Sequence, residues 1–212
     1  MIIASVAIGK QYELEAERLK RSIEGVYVFT ESDKQYKRVN EDNLINGLYH
    51  KTNFANYLKG KKTEPVLFCD ADLFGLIDNP LETFKPKEDT DIAFVPYSGK
   101  WYLPDAIRQK AFDHFGYKIN SGFIYFRTLE IAQDVCNRWR EAYLEREKLY
   151  DVAKGTSKYE YDEWALMIAL MDTGYKIEIL DKKWNVWELK TEEEIKNSDS
   201  ILFQSHDHLD IV

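Results

Sequence analysis

The chain has 212 residues, 44% of them hydrophobic and 31% charged, with five prolines and ten glycines; that balance excludes an intrinsically disordered chain and suits one domain, 1–212, with a single sizeable core. Its formal net charge of -8 argues against nonspecific attraction to nucleic-acid phosphates. No apolar run approaches the roughly 18–20 residues of a membrane span, and the apolar start lacks the charged region of a signal peptide, so the expectation is a soluble, cytoplasmic protein with no nucleic-acid partner.

"MIIASVAI" predicts a first strand closed by Gly9, and "YELEAERLKRSIEG" a helix with Leu14, Leu19 and Ile23 at near-helical spacing and Gly25 as its stop. "VYVFT" predicts a second buried strand, so the chain opens strand, helix, strand, the mark of a parallel sheet with a right-handed crossover. Residues 43–58 predict a helix, "PVLFC" a third buried strand, "DIAFVPY" and "SGFIYFR" two more, and "LEIAQDVCNRWREAYLEREKLY" a long amphipathic helix. "DEWALMIALMDTG" predicts a further helix ended by glycine, "YKIEIL" and "ILFQSH" the late strands, and "DVAKGTSKYEYD" a flexible loop. Strands alternating with helices indicate α/β, with a mostly parallel central sheet of about six or more strands flanked by helices. Cys69 and Cys136 lie in apolar stretches without metal-type spacing and read as buried free thiols.

The stretch "VLFCDADLFGLIDNP" carries Asp70 and Asp72 out of the third strand. The carboxyl ends of parallel strands face the crevice in which open α/β sheets bind ligands. Side chains two apart on an extended segment point the same way, about 6.5–7 Å apart at Cα, and can address one hard cation. Bare, the pair repels itself, and a divalent ion removes that conflict. The alternative is that one aspartate caps the following turn and the other faces water.

On these residues the chain resembles the metal-dependent nucleotide-sugar glycosyltransferases of the GT-A fold, of the glycogenin-like and galactosyl- or xylosyltransferase-like retaining type. Within that group it is most similar to the short capsid-glycan glycosyltransferase domains encoded by large algal viruses, which would put it in a host cytoplasm. The resemblance implies a nucleotide-binding half over about 1–90 and an acceptor and sugar half over about 91–212. It further implies that Asp70 and Asp72, with Ala71 between them, bind Mn2+ or Mg2+ and through it the diphosphate of a UDP-sugar donor, and that the sugar passes with retention to a glycan or protein-linked acceptor.

Further motifs follow in the family's order. "VAIGKQYELEA" is similar to the turn that holds the base, with backbone groups near Ala7 and Ile8 bonding uracil and Tyr12 stacking on it; Tyr12 as an aromatic covering the sheet edge is the alternative. "HKTNFANYL" aligns Lys51 with a lysine that contacts the donor phosphates or sugar, against a solvated helix lysine. "INSGFIYFR" resembles the segment in which Asn120 binds donor hydroxyls beside Ser121, with Gly122 admitting close approach of the ligand to the backbone; a plain strand-initiating turn also uses these residues. In "YDEWALMIAL", Asp162 falls on the residue that acts as nucleophile or orients the sugar, with Glu163 its polar neighbour, while Asp in a first helical turn is favoured in any case. "ILFQSHDHL" offers His206, or alternatively His208, as the imidazole that completes the metal's ligands. Family members often continue past this histidine with a glycine and a phosphate-gripping lysine; here the sequence ends at Val212, so either the grip is absent or further domains belong to a longer polypeptide.

Tyr97, Trp101 and Tyr102 in "YSGKWYLPD" could line an acceptor side or anchor a loop. Two other readings stand beside the transferase: a phosphatase of the haloacid dehalogenase type, whose D-x-D normally opens the chain and carries Thr or Val where Phe74 stands here, and a non-catalytic module that holds a nucleotide sugar without turning it over.

Overall fold

The structure, a computed structural model, describes residues 1–97, 106–145, 161–186, 191, 193–194 and 197–204. Strand β1 (Ile2–Val6) leads to helix α1 (Lys10–Ser22) and strand β2 (Val26–Phe29). Helix α1 begins directly after Gly9, whose φ is 95° and where a Cβ would stand 2.8 Å from Asn43 Nδ2, so the turn needs glycine on both counts. Glu13 in its first turn and Lys20 and Arg21 in its last complement the helix dipole. The helix stops at the expected place, with Gly25 at φ 77°.

The helix predicted over 43–58 divides. Asp42 caps α2 (Asn43–Lys51) by accepting from Leu44 N at 2.9 Å. Thr52 then turns its hydroxyl onto Tyr49 O at 2.8 Å, and a short 3-10 turn covers Phe54–Tyr57. The division leaves Lys51 as the last residue of α2.

Strands β3 (Val66–Cys69), β4 (Leu73–Gly75) and β5 (Ile92–Tyr97) precede helix α3 (Ala106–Phe115) and strand β6 (Lys118–Phe126); α4 (Leu129–Leu144), α5 (Tyr161–Leu170), β7 (Ile177–Ile179) and β8 (Leu202–Gln204) follow. Six strands form the central sheet in the order β2-β1-β3-β6-β5-β7. β1 pairs in parallel with β2 and β3, β5 with β7, and β6 is antiparallel to both its neighbours. The sheet is therefore mostly parallel, as expected, with β6 alone reversed among the described strands. The late strand from "ILFQSH" does not join it: β8 pairs antiparallel with β4, setting Leu73 opposite Gln204.

Both faces of the sheet are covered, and the strands alternate between two cores accordingly. Val66, Phe68, Phe94, Ile124 and Phe126 face the core made with α4 and α5, where Val135, Cys136, Trp139 and Leu166 are fully buried. Leu67, Cys69, Ala93, Val95 and Phe123 face the other, with Leu19, Trp184 and Leu202. Strand β2 departs from the buried strand predicted: it is an edge strand, and Val26, Tyr27 and Val28 are only half-buried. Cys69 and Cys136 are buried free thiols, as expected. Among the described residues no helix is long and apolar enough to cross a membrane.

Candidate active site

Because β6 runs against β3, its first half lies at β3's carboxyl end, where Asp70 N donates to Gly122 O at 2.8 Å. The acids that leave one strand thus meet the Asn120-Ser121-Gly122 segment of the next. Helix α5 is fixed to the same place by Trp139, whose indole Nε1 donates to Asp162 O at 2.6 Å from inside the core.

Lys51 joins these pieces. Its ammonium stands 2.8 Å from Asp70 Oδ1, 3.0 Å from Asp162 Oδ2 and 2.9 Å from Ser121 Oγ, so its three N–H donors have three acceptors. Ser121 Oγ in turn donates to Asp162 Oδ2 at 2.8 Å. Lys51 is 8% exposed, which rules out the solvated helix lysine. Burial pulls its ammonium pKa down, but Asp162 and Asp70 outweigh that and raise it above the ordinary lysine value.

Gln204 holds the acids from the other side. Its Nε2 donates to Asp70 Oδ2 and to Asp72 Oδ1, both at 3.1 Å. Burial first, and then the charge of Asp70, push Asp72 up to about 7 against the pull of Lys51 and Gln204. The repulsion expected of the bare pair is therefore present. Asp70 and Asp72 converging on the carboxamide nitrogen of Gln204, with Asp72 reluctant to ionise, offer carboxylate oxygens of the kind that suit a hard divalent cation. Among the described residues no group of three or more His, Cys, Asp and Glu is arranged to hold a metal ion by itself, and His206 and His208 lie outside the described residues.

These residues line a cleft of about 480 Å³, within the range of small-molecule sites. Of the residues expected to contact a donor, Ile8, Tyr12, Lys51, Asp70, Ala71, Asp72, Asn120, Ser121, Asp162 and Glu163 all line it. Tyr12 faces the cleft and packs against the buried Ala7, Ala16 and Ala71. Ala7 does not line the cleft: it is fully buried, and its N–H donates to Phe29 O at 2.9 Å. Nor does Gly122. A Cβ there would stand 2.8 Å from Gln204 Oε1, 2.9 Å from Asn185 Nδ2 and 3.0 Å from Asn120 Oδ1, so the close approach the glycine permits is made by the protein's own amides. Asn120 Oδ1 accepts from Gly122 N at 2.7 Å and from Asn185 Nδ2 at 3.0 Å.

Glu163 forms an ion pair with the buried Lys118 at 2.5 Å, and Lys118 Nζ lies 4.1 Å from the ring centroid of Tyr97. Burial pushes Glu163 up to about 7 although Lys118 pulls it down. Tyr97 lines the cleft, whereas Trp101 and Tyr102 fall outside the described residues, as does most of the loop predicted from "DVAKGTSKYEYD". Sequence reasoning missed Gln204, Asn185 and Lys118. For Gln204 a signal existed, because it is the polar residue that interrupts the apolar run "ILFQ".

No protein-family model and no curated protein matches this chain. Solved structures do. A glycosyltransferase involved in the glycosylation of the major capsid of PBCV-1 has a TM-score of 0.53 at 13% identity, over 98% of this chain and 94% of its own. The galactosyltransferase LgtC, in complex with donor and acceptor sugar analogs, has a TM-score of 0.57 at 11% identity, over 97% and 87%. The bifunctional glycosyltransferase WbbM has 0.56 at 10%, over 97% of this chain and 45% of its own. At such identities the likeness establishes architecture: the chain has the GT-A glycosyltransferase fold.

Proposed function

We propose that this chain transfers a sugar from a nucleotide-diphosphate sugar, a UDP-sugar above all, to a glycan or protein-linked acceptor, with Asp70 and Asp72 holding Mn2+ or Mg2+ and with retention of anomeric configuration. The observation that carries the reading is the buried network in which Lys51 ties Asp70, Ser121 and Asp162 together at the floor of a cleft that also presents Asp72. The GT-A fold adds support, and the place of the acid pair at residues 70 and 72 speaks against the phosphatase alternative, whose acid pair normally opens the chain.

In this reading Tyr12 stacks on the base at one end of the cleft, worth on the order of 1–3 kcal/mol. A divalent cation, when bound, supplies electrostatic stabilisation of the departing diphosphate. Lys51 keeps Asp70 turned toward the phosphate end and Asp162 toward the sugar. Asn120 and Ser121 meet the sugar hydroxyls at the lip of β6. Asp162 Oδ2 accepts from both Lys51 and Ser121, and a carboxylate oxygen so engaged is a poor nucleophile, which favours an orienting role over covalent attack. Glu163, with its proton affinity near neutrality and Lys118 behind it, stands where an acceptor hydroxyl could exchange a proton.

The test is to incubate the protein with a panel of UDP- and GDP-sugars, with Mn2+ or with EDTA, and to measure release of nucleotide and free sugar. Manganese-dependent release from one donor is the expected result. Binding without turnover would instead identify the non-catalytic module, and no binding to any donor would end the proposal.

A further inference from the structure

The carboxamide of Gln204 is only half satisfied. Its Nε2 has two carboxylate acceptors, yet its Oε1 is buried and has no hydrogen-bond partner. Asn185 Oδ1, in the same amide cluster, is likewise buried without a partner. An orphaned buried acceptor forfeits its hydration without return, and two in one cluster at the back of an acid pair call for an explanation. The Gln204 backbone is fixed, with its N–H on Val186 O at 2.8 Å and its strand paired to β4, and the residue is 4% exposed.

We propose that Gln204 is itself an oxygen ligand of the cation site, through a half-turn of its carboxamide. The proposal rests on the cation site of the preceding section and names a member of it that the acid motif does not contain. Without a cation, Nε2 stands between Asp70 and Asp72 and takes the place of the missing positive charge. When a divalent ion occupies that position, a donor N–H facing it is repelled and an amide oxygen is attracted. Exchanging the two ends of the amide brings Oε1 to the ion beside the two carboxylates, in keeping with the oxygen preference of Mg2+ and Mn2+. The same half-turn turns Nε2 toward the amide cluster, where Asn185 Oδ1 is buried without a partner. Gly122 makes room for the exchange, because a Cβ there would stand 2.8 Å from Oε1.

The test is Mn2+ titrated into the full chain at saturating UDP, with free Mn2+ read by electron paramagnetic resonance, for wild type and Gln204→Met. A ligand role predicts that the variant binds Mn2+ about 10-fold or more weakly. If Gln204 is only a brace whose N–H competes with the ion, its removal leaves the affinity unchanged or tightens it, and the proposal is overturned. Absence of Mn2+ binding by wild type overturns the cation site altogether, a result distinct from the former. Should Gln204→Met fail to fold, wild type decides: Mg2+ added to the isotope-labelled chain shifts the Gln204 side-chain carbonyl 13C resonance, and an unmoved resonance refutes the assignment.

Discussion

Lys51 Nζ and Asp162 Oδ2 lie 3.0 Å apart, the one at the end of α2 and the other in the first turn of α5, with both side chains almost wholly buried. Lys51 is also bonded to Asp70, so removing its charge strands two carboxylates at once. Lys51→Met is expected to cost about 3–5 kcal/mol of stability, as for a broken buried pair. Urea unfolding checks this; a loss below 1 kcal/mol, on the order of a surface pair, would mean that the network does not compensate these charges.

Asp72→Ala acts in the opposite sense on the fold. Asp72 is a reluctant anion, pushed up to about 7 by burial and by Asp70. The variant should melt at or above the wild-type temperature in EDTA, and should gain nothing from Mn2+ with UDP where wild type is stabilised. Thermal melts in the two buffers measure both, and an unchanged response to Mn2+ and UDP would count against the cation site.

Tyr12→Ala removes the proposed stacking face and should weaken UDP binding by about 1–3 kcal/mol, roughly 5- to 150-fold in Kd. Tyr12→Phe keeps the face and should bind as wild type does. Calorimetry at fixed Mn2+ separates the two; equal losses would assign Tyr12's part to its hydroxyl.

Stability should fall with rising pH across the acid-to-neutral range. Glu163 has an ordinary value of 4.5 and is raised to about 7, and Asp72 goes from 3.8 to about 7. Between those limits the folded chain keeps protons that the unfolded chain has released, so protonated carboxyls favour folding and each pH unit upward erodes it. The slope from these two groups fades as pH rises through about 7. Glu163→Gln should remove one proton's share of the slope, measured by urea unfolding from pH 4.5 to 8 in EDTA. An undiminished slope would show that Glu163 is not the group responsible.

Much of the architecture was legible because buried strands advertise themselves: "PVLFC" and "DIAFVPY" are apolar on both faces, and both sheet faces are covered. Strand direction has no such signature. Nothing in "INSGFIYFR" says that β6 runs opposite to β3, since reversal leaves the alternation of side chains unchanged. β4, α3 and the amphipathic end of α2 were obscured for a related reason, being short or settled by distant neighbours. Lys51 illustrates the limit at the site itself. A lysine at a helix end reads as solvated from its own surroundings, and its burial depends on partners 19, 70 and 111 residues further along. Asn185 was invisible individually because an amide acquires meaning only from what it faces, and the polar break that Gln204 makes in "ILFQ" did not say which acids it would meet.

The pairing of β8 with β4 has a consequence for the nascent chain. Asp70 and Asp72 leave the ribosome early, together with Lys51, yet the amide that bonds to both acids arrives 134 residues after Asp70. Synthesis therefore produces every other described wall of the cleft before its last clasp, and a product truncated ahead of Ile201 would display the acids on an unpaired β4, its backbone edge open to whatever strand came by.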